Sequence, residues 1–219
     1  MRMNQPALTW TDSDTPVATA FDDPYFTGGL DETRHVFLAG NDLPGRLRAG
    51  FHVAELGFGT GLNLLALAQV WVGPGTLRFT SFEAFPMARS DMARALAPFS
   101  LPGTDALVAQ WQGDGPVRCI DLPGIAAEIR IGDARQTLPP WPDRADAWFL
   151  DGFAPARNPE LWNDALLQQV ARHTGPGGTA ATYTAAGHVR RALESGGFRV
   201  TRQPGFGRKK HMTTARMPT

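Results

Sequence analysis

The 219-residue sequence predicts an α/β fold with a mostly parallel, doubly wound sheet and a small N-terminal extension, on three observations. From His52 onward, short apolar runs rich in β-formers alternate with helical patterns, which is the signature of a parallel sheet with crossover helices. One run feeds a glycine turn, Glu55-Leu56-Gly57-Phe58-Gly59-Thr60-Gly61-Leu62-Asn63, that opens straight into a helical stretch. Three runs end in an acid, at Glu83, Asp133 and Asp151, and open α/β sheets place ligands beyond the carboxyl ends of their strands.

The elements follow in order. Residues Phe21 to Ala39 read as an irregular or hairpin extension. A strand over 52–56 leads through the glycine turn to a helix over 62–71. The next strand spans 77–82, and Pro86 opens a helix over 86–97, because proline is tolerated in a first turn. Residues 98–116, rich in proline and glycine, read as loop or weak helix. Val117–Leu122 and Ile125–Ile131 flank Pro123-Gly124 and predict a hairpin. A strand over 146–150, a helix over 159–172, a strand over 178–184 and a helix over 186–195 come next. A final pair of strands, 198–203 and 211–216, closes the chain. No internal repeat or low-complexity linker interrupts it.

Composition agrees with one large domain or one domain with a small appendage. Hydrophobic residues make up 42% and charged residues 19%, enough for a sizeable core. Cys119 is alone, which excludes an internal disulfide and fits a reducing compartment. The start, Met1-Arg2-Met3-Asn4-Gln5-Pro6, has no apolar h-region, and no window reads as a membrane span. These features predict a cytoplasmic protein. Five scattered histidines and one cysteine offer no metal-ligand spacing.

The net charge is zero but unevenly spread. Six acids (Asp12, Asp14, Asp22, Asp23, Asp31, Glu32) against two bases occupy the stretch to His35. Eight bases (Arg190, Arg191, Arg199, Arg202, Arg208, Lys209, Lys210, Arg216) against Glu194 follow His188. The Arg208-Lys209-Lys210 loop is a candidate phosphate contact, with a solvated surface as the alternative. A dedicated nucleic-acid module is usually basic overall, so any such contact is local.

Glycines at alternate positions let a ligand approach the backbone with no Cβ in the way, and the helix behind them aims free N–H groups at it. A dinucleotide turn is G-x-G-x-x-G. Here the third glycine falls one residue early, and Glu55 precedes the first by two. An acid there suits a cationic cofactor better than a pyrophosphate. This E-x-G-x-G-x-G form resembles the turn of class I S-adenosyl-L-methionine (SAM) methyltransferases. Glu83, 22 positions after Gly61, is placed to accept ribose hydroxyls, or is an ordinary strand-end acid. Asp133 is equally a partner for an adenine amine and a helix N-cap.

Asp151 opens the segment Asp151-Gly152-Phe153-Ala154-Pro155 at a strand end. An alkylamine is mostly ammonium at neutral pH, so a methyl acceptor of that kind must be oriented and deprotonated. A carboxylate does both, and an aromatic ring such as Phe153 attracts a cation. Capping for Asp151 and core packing for Phe153 are the plain alternatives.

ELGFGTGLN, SFEAFP, DAWFLDGFAPARNPELW, GGTAATYTAAGHVRRAL and GFGRKKHM, with the earlier FDDPYFTGGLDETRHVFLAGN, together resemble the methyltransferase module of the bifunctional tRNA wobble-uridine modification enzymes, and its stand-alone forms. The resemblance covers most of 21–216 and is weakest across 98–130. It implies a class I, Rossmann-like methyltransferase domain over 46–219, with a C-terminal antiparallel hairpin, behind an extension over 1–45. It implies SAM as cofactor, held by Glu55, Gly57, Gly59, Gly61, Asn63, Glu83, Asp133 and Asp151. It further implies methyl transfer to the 5-aminomethyl group of 5-aminomethyl-2-thiouridine in the anticodon region of tRNA, with Asp151 and Phe153 facing the amine. An FAD-dependent oxidoreductase domain or partner would supply that amine. Tyr25 and the Arg208-Lys209-Lys210 loop are implied lid or tRNA contacts, Tyr25 being equally a packing residue. Tyr183 and His211 read as strand residues without chemistry. The competing readings are a methyltransferase for a small-molecule or protein amine, an NAD-dependent oxidoreductase, and a non-catalytic module.

Overall fold

The computed structural model describes residues 5–219; the reading of Met1–Asn4 lies outside them. A small antiparallel sheet comes first, from β1 (Leu8–Trp10), β2 (Pro16–Ala18) and β3 (Asp23–Pro24). A short helix α1 (Gly29–Thr33), a π-helical turn (Arg34–Leu38) and a 3-10 turn (Ala39–Asn41) lead into the main body. There the order is β4 (His52–Leu56), α2 (Leu62–Val70), β5 (Leu77–Glu83), α3 (Arg89–Leu96), α4 (Thr104–Gln110), β6 (Val117–Leu122) and β7 (Ile125–Ile131). Then follow α5 (Ala134–Thr137), β8 (Ala145–Leu150), α6 (Asp164–Arg172), β9 (Thr174–Thr182), α7 (Gly187–Ser195), β10 (Arg199–Pro204) and β11 (His211–Arg216).

The main sheet has eight strands in the order β10-β11-β9-β8-β4-β5-β7-β6. Its five central strands run parallel, and β6, β10 and β11 run antiparallel to their neighbours. From β4 the chain builds outward through β5 and β7, then returns to add β8 on the other side of β4. The β4/β8 boundary is therefore the switch point of the sheet, where the loops beyond two neighbouring strands diverge and leave a crevice. The glycine turn follows β4 and Asp151 follows β8.

Strand sequence explains the layering. Trp148 and Leu150 of β8 join one core layer, with Ala54, Leu56, Phe82, Leu166, Leu167, Val170, Val189 and Leu193. The alternate residues Ala147 and Phe149 join the opposite layer, with Val53, Phe79, Leu64, Leu65 and Leu67. Burial on both faces is why these strands read as unbroken apolar runs. The N-terminal 45 residues contribute Val36, Phe37, Leu38 and Leu43 to that second layer. Among the described residues no helix is long and apolar enough to cross a membrane.

Several boundaries differ from expectation, each for a local reason. Helix α6 starts at Asp164, where Asn163 caps it by accepting the Leu166 N–H at 2.9 Å. Residues 159–163 instead form turns, held by the Trp162 indole donating to the Phe153 carbonyl at 2.8 Å. Pro86 precedes rather than opens α3, because Ala88 is still extended. Within 98–116, expected as loop or weak helix, residues 104–110 form a helix. The stretch 29–41 is helical rather than hairpin; Asp31 and Glu32 sit in its first turn, a helix-start signal that Gly28-Gly29 obscures. Strand β9 runs from Thr174 to Thr182, earlier than expected at both ends, so Tyr183 and Thr184 lie beyond it.

One core polar group carries a pH consequence. His52 is buried in β4, with Nε2 2.9 Å from the Thr80 hydroxyl and its ring against Trp141. Burial, helped by the Arg78 charge, pushes its pKa down from 6.5 to about 4. The unfolded chain then binds a proton that the folded chain refuses, so stability falls as pH drops from 6.5 toward 4, by up to about 3 kcal/mol. The gap in Tm between wild type and His52→Gln should narrow on going from pH 7 to pH 4.5. Parallel curves would show that His52 is protonated alike in both states.

Candidate active site

A cavity of about 540 Å3 opens at the β4/β8 switch point, with Gly57, Gly59, Asn63, Glu83, Asp133, Asp151 and Phe153 on its wall. The backbone at Gly57 and Gly59 is left-handed, with φ of 83° and 54°, a region that glycine enters freely. A Cβ on Gly59 would meet the Tyr25 ring at 3.1 Å. A Cβ on Gly57 would meet the Asp151 carbonyl oxygen at 3.1 Å and Gly152 Cα at 3.3 Å. The glycine at 57 thus lets two strand-end loops touch, beyond any ligand it admits. Gly61 lies behind the wall, at the start of α2, against Phe58 and Leu107.

Glu55 does not reach the cavity. It is wholly buried, and its carboxyl accepts from Asn63 Nδ2 at 2.8 Å and from the Ser81 hydroxyl at 2.7 Å. The same Asn63 amide donates to Asp151 Oδ2 at 2.9 Å, while its oxygen accepts from the Thr33 hydroxyl at 2.9 Å. The acid two residues before the first glycine therefore orients Asn63, which in turn presents Asp151. A direct cofactor contact by Glu55, as the motif implies, gives way to this indirect role. Asn63 is the hub.

Asp151 also accepts the Gly152 N–H at 2.7 Å. Burial outweighs both hydrogen bonds and raises its pKa to about 7. Burial likewise holds Glu83 above the usual carboxylate range and Glu55 well above it. Glu83 accepts the Gly59 and Phe85 N–H groups at 2.9 and 2.7 Å. Each carboxylate oxygen has a second lone pair, so one remains on each for a hydroxyl. Asp133 caps α5 through the Arg135 N–H and pairs with the Arg135 guanidinium, which holds its pKa low. The N-cap reading is correct, and the residue still lines the cavity.

Phe153 stacks on Phe21 at 4.5 Å between ring centroids and meets Tyr25 edge-on at 5.1 Å. Tyr25 is a wall residue packed over the glycine turn, and burial beside Glu83 and Asp91 keeps its hydroxyl protonated. Arg208, Lys209 and Lys210 lie off the wall. Lys209 is already engaged: Nζ is 2.9 Å from Glu32 Oε1 and 3.9 Å from the centre of the Tyr183 ring. Tyr183, assigned no chemistry from sequence, donates its hydroxyl to the Gly152 carbonyl at 2.7 Å and so braces the loop carrying Asp151. Its place just past β9, beside the end of β8, was the available signal.

Most acids of the N-terminal segment have partners. Asp14 pairs with Arg94, Asp22 with Arg157, Asp31 with Arg34 and Glu32 with Lys209, while Asp23 accepts the Ala154 N–H at 2.7 Å. Of these pairs, only Glu32–Lys209 joins the acidic and basic ends of the chain. The pairing of Asp22 and Asp23 works locally and folds residues 21–25 onto the loop that follows Asp151.

The donor set fits a cationic nucleoside cofactor. Two carboxyls of raised pKa on the cavity wall, Glu83 and Asp151, are returned to their ionised form by a ligand carrying positive charge, Glu83 retains acceptor capacity for hydroxyls, and the Gly57–Gly59 turn admits a close backbone approach.

Residues 104–218, more than half of the chain, match the model of a family described as S-adenosyl-L-methionine-dependent methyltransferase. The chain is 45% identical, over 96% of its length, to the tRNA 5-methylaminomethyl-2-thiouridine biosynthesis bifunctional protein MnmC of Caulobacter sp. (strain K31). It is 44% identical, over 94% of its length, to the protein so named in Chromobacterium violaceum. It spans 38% and 34% of those two proteins. Among solved structures, MNMC2 from Aquifex aeolicus superposes with a TM-score of 0.78 at 23% identity, over all of this chain and 73% of the other. At that identity the likeness is one of fold.

Proposed function

Because this chain belongs to the SAM-dependent methyltransferase family, we propose that it transfers the methyl of SAM to the 5-aminomethyl group of wobble 5-aminomethyl-2-thiouridine in tRNA. The product is 5-methylaminomethyl-2-thiouridine, the nucleoside in the name of the relatives that share 42–45% of its residues. The observation that carries the reading is Asp151, a half-buried carboxyl held by Asn63 on the cavity wall at the switch point, beside the glycine turn.

SAM, when bound, supplies a methyl on a sulfonium that departs by in-line displacement. Gly57, Gly59 and Asn63 would hold its amino-acid end, Glu83 its ribose, and Asp133 with Ala134 the rim of its adenine site. The remaining work falls to the acceptor loop. Asp151 binds the incoming ammonium, whose charge favours the carboxylate, and then takes the proton that frees the nitrogen lone pair. Asn63 and the Gly152 N–H, each donating to one oxygen of Asp151, fix the orientation of the carboxylate, and Tyr183 holds the loop through Gly152. Phe153 excludes water and favours the cation. Alignment is the main source of acceleration for such a displacement. The aminomethyl substrate would come from an FAD-dependent oxidoreductase domain or partner.

Arg208 and Lys210 are the residues of the basic loop offered to phosphate, and both are exposed. Arg208→Ala with Lys210→Ala should reduce the salt slope of tRNA binding by about 1–2. Lys209→Met should leave that slope unchanged and lower Tm by about 1–3 °C, since it removes a half-exposed ion pair. An equal change of slope in Lys209→Met would show that the Lys209–Glu32 pair opens for RNA.

The direct test is single-turnover transfer from radiolabelled SAM to tRNA bearing 5-aminomethyl-2-thiouridine, followed by nucleoside analysis. Label in 5-methylaminomethyl-2-thiouridine is the expected result. Intact SAM binding without label would move the acceptor to a small-molecule or protein amine.

A further inference from the structure

Two groups stand apart among the aromatic residues of the cavity. Phe58 and Phe82 are 3% and 1% exposed and belong to the core. Phe21, Phe85 and Phe153 also line the cavity, yet Phe85 is 36% exposed and the other two are only half-buried. Phe21 joins the other two: it stacks on Phe153 at 4.5 Å with the planes 21° apart, and meets Phe85 edge-on at 5.6 Å.

Phe21 is held in place by an unusual amount of polar structure. Its carbonyl accepts from Arg157 at 3.3 Å, and the same guanidinium nitrogen lies 2.6 Å from the Asp22 carboxylate. The neighbouring Asp23 carboxylate accepts the Ala154 N–H. Asp22 itself is left-handed, with φ of 47°, a conformation that costs a side-chain-bearing residue energy and persists where surroundings impose it. Three contacts to the loop after Asp151 thus fix a turn whose aromatic ring stays incompletely buried. Core packing does not require that arrangement. A ring kept available at a cavity mouth is what recognition of an unstacked nucleobase requires, since single-stranded RNA bases are bound by stacking on aromatic side chains.

We propose that Phe21, with Phe153 beneath it and Phe85 at its edge, is the stacking site for a pyrimidine base splayed out of RNA. The assignment rests on the function proposed above. There a single methylene joins the acceptor amine to the pyrimidine, so an amine held at Asp151 brings the ring within reach of the aromatic residues on either side of the Asp151 loop. The N-terminal segment is then part of the substrate site, supplying the base contact that the sheet does not.

The test compares wild type, Phe21→Leu and Phe21→Trp on an anticodon stem-loop carrying 5-aminomethyl-2-thiouridine, reading kcat/KM for RNA and, by calorimetry, Kd for SAM. Leucine keeps apolar bulk without a π face; tryptophan keeps the face. Phe21→Leu should lose at least about tenfold in kcat/KM for RNA, with Kd for SAM within about threefold of wild type. Phe21→Trp should stay within about threefold on both. Unchanged RNA efficiency in Phe21→Leu would overturn the stacking site. So would a parallel loss of SAM affinity, which would make Phe21 a cofactor wall, or equal losses in both variants, which would make it a packing residue. Wild type that binds SAM but methylates no aminomethyl RNA would remove the functional reading, and the stacking site with it.

Discussion

Asp151→Asn should reduce methyl transfer at least about a hundredfold while leaving SAM affinity within a few fold. Asparagine preserves the shape of the side chain and an oxygen for the Asn63 amide, 2.9 Å away in wild type. What disappears is the negative charge and the capacity to take a proton. In wild type the pH profile should show the same group. Burial raises the Asp151 pKa to about 7, so below that pH the free enzyme carries a neutral acid that neither attracts an ammonium nor accepts its proton. The value of kcat/KM should therefore fall as pH drops through 7 and level off above it, since this parameter reports groups of the free enzyme. A fully active asparagine variant would take Asp151 out of the mechanism. An acidic limb that survives in the residual activity of Asp151→Asn would assign the limb to another group.

Gly57→Ala is the second large effect, acting on both stability and rate. Two penalties combine. Alanine at φ of 83° occupies a region that costs a side-chain-bearing residue about 1–2 kcal/mol. Its Cβ would also press on the Asp151 carbonyl oxygen at 3.1 Å and on Gly152, which are backbone and cannot swing aside. Tm should fall by about 4–10 °C. Methyl transfer should fall about a hundredfold, because displacement of a reacting group by about 1 Å costs that much. Gly50→Ala is the control: φ is 75° there, and nothing lies within 4 Å of the added carbon. It carries the backbone cost alone and should leave transfer unchanged. Equal losses in the two variants would show that the contact between the β4 and β8 loops is irrelevant to catalysis.

Much of the fold and of the cavity floor was legible in the sequence, because both arise from local patterns. Strand-end acids at Glu83, Asp133 and Asp151 follow apolar runs, and the glycine turn fixes where the helix begins, so their common location needs only the parallel-sheet rule. Roles were harder to read than places. Glu55 and Glu83 look alike on paper, but the side chain of Glu55 is sealed beneath α2 by Asn63 and Ser81 while that of Glu83 faces the cavity. Long-range partners were not legible at all. Lys209 reads as a surface base until Glu32, 177 positions earlier, is brought to it. Phe21 and Tyr25 sit in a segment without periodicity, and only the ties to Arg157 and Ala154 turn that segment into a wall. The start of α6 differs for a nearer reason, since the Trp162 indole donates to the Phe153 carbonyl nine positions back and holds the intervening residues in turns despite the proline signal.

The way the N-terminal segment is fastened sets two clocks in one molecule. The central strands are sealed by apolar packing on both faces and exchange their amides only on global opening. The segment from Leu8 to Tyr25 is fastened partly by ion pairs at the surface, Asp14 with Arg94 and Asp22 with Arg157, each worth at most about 1 kcal/mol and weakened by salt, and partly by the packing of Leu8, Phe21 and Tyr25. Its opening should be a sub-global excursion, lower in free energy than opening of the sheet. The roof of the cavity can therefore breathe while the floor stays crystalline, so entry and exit of ligands need not disturb the sheet that positions Asp151.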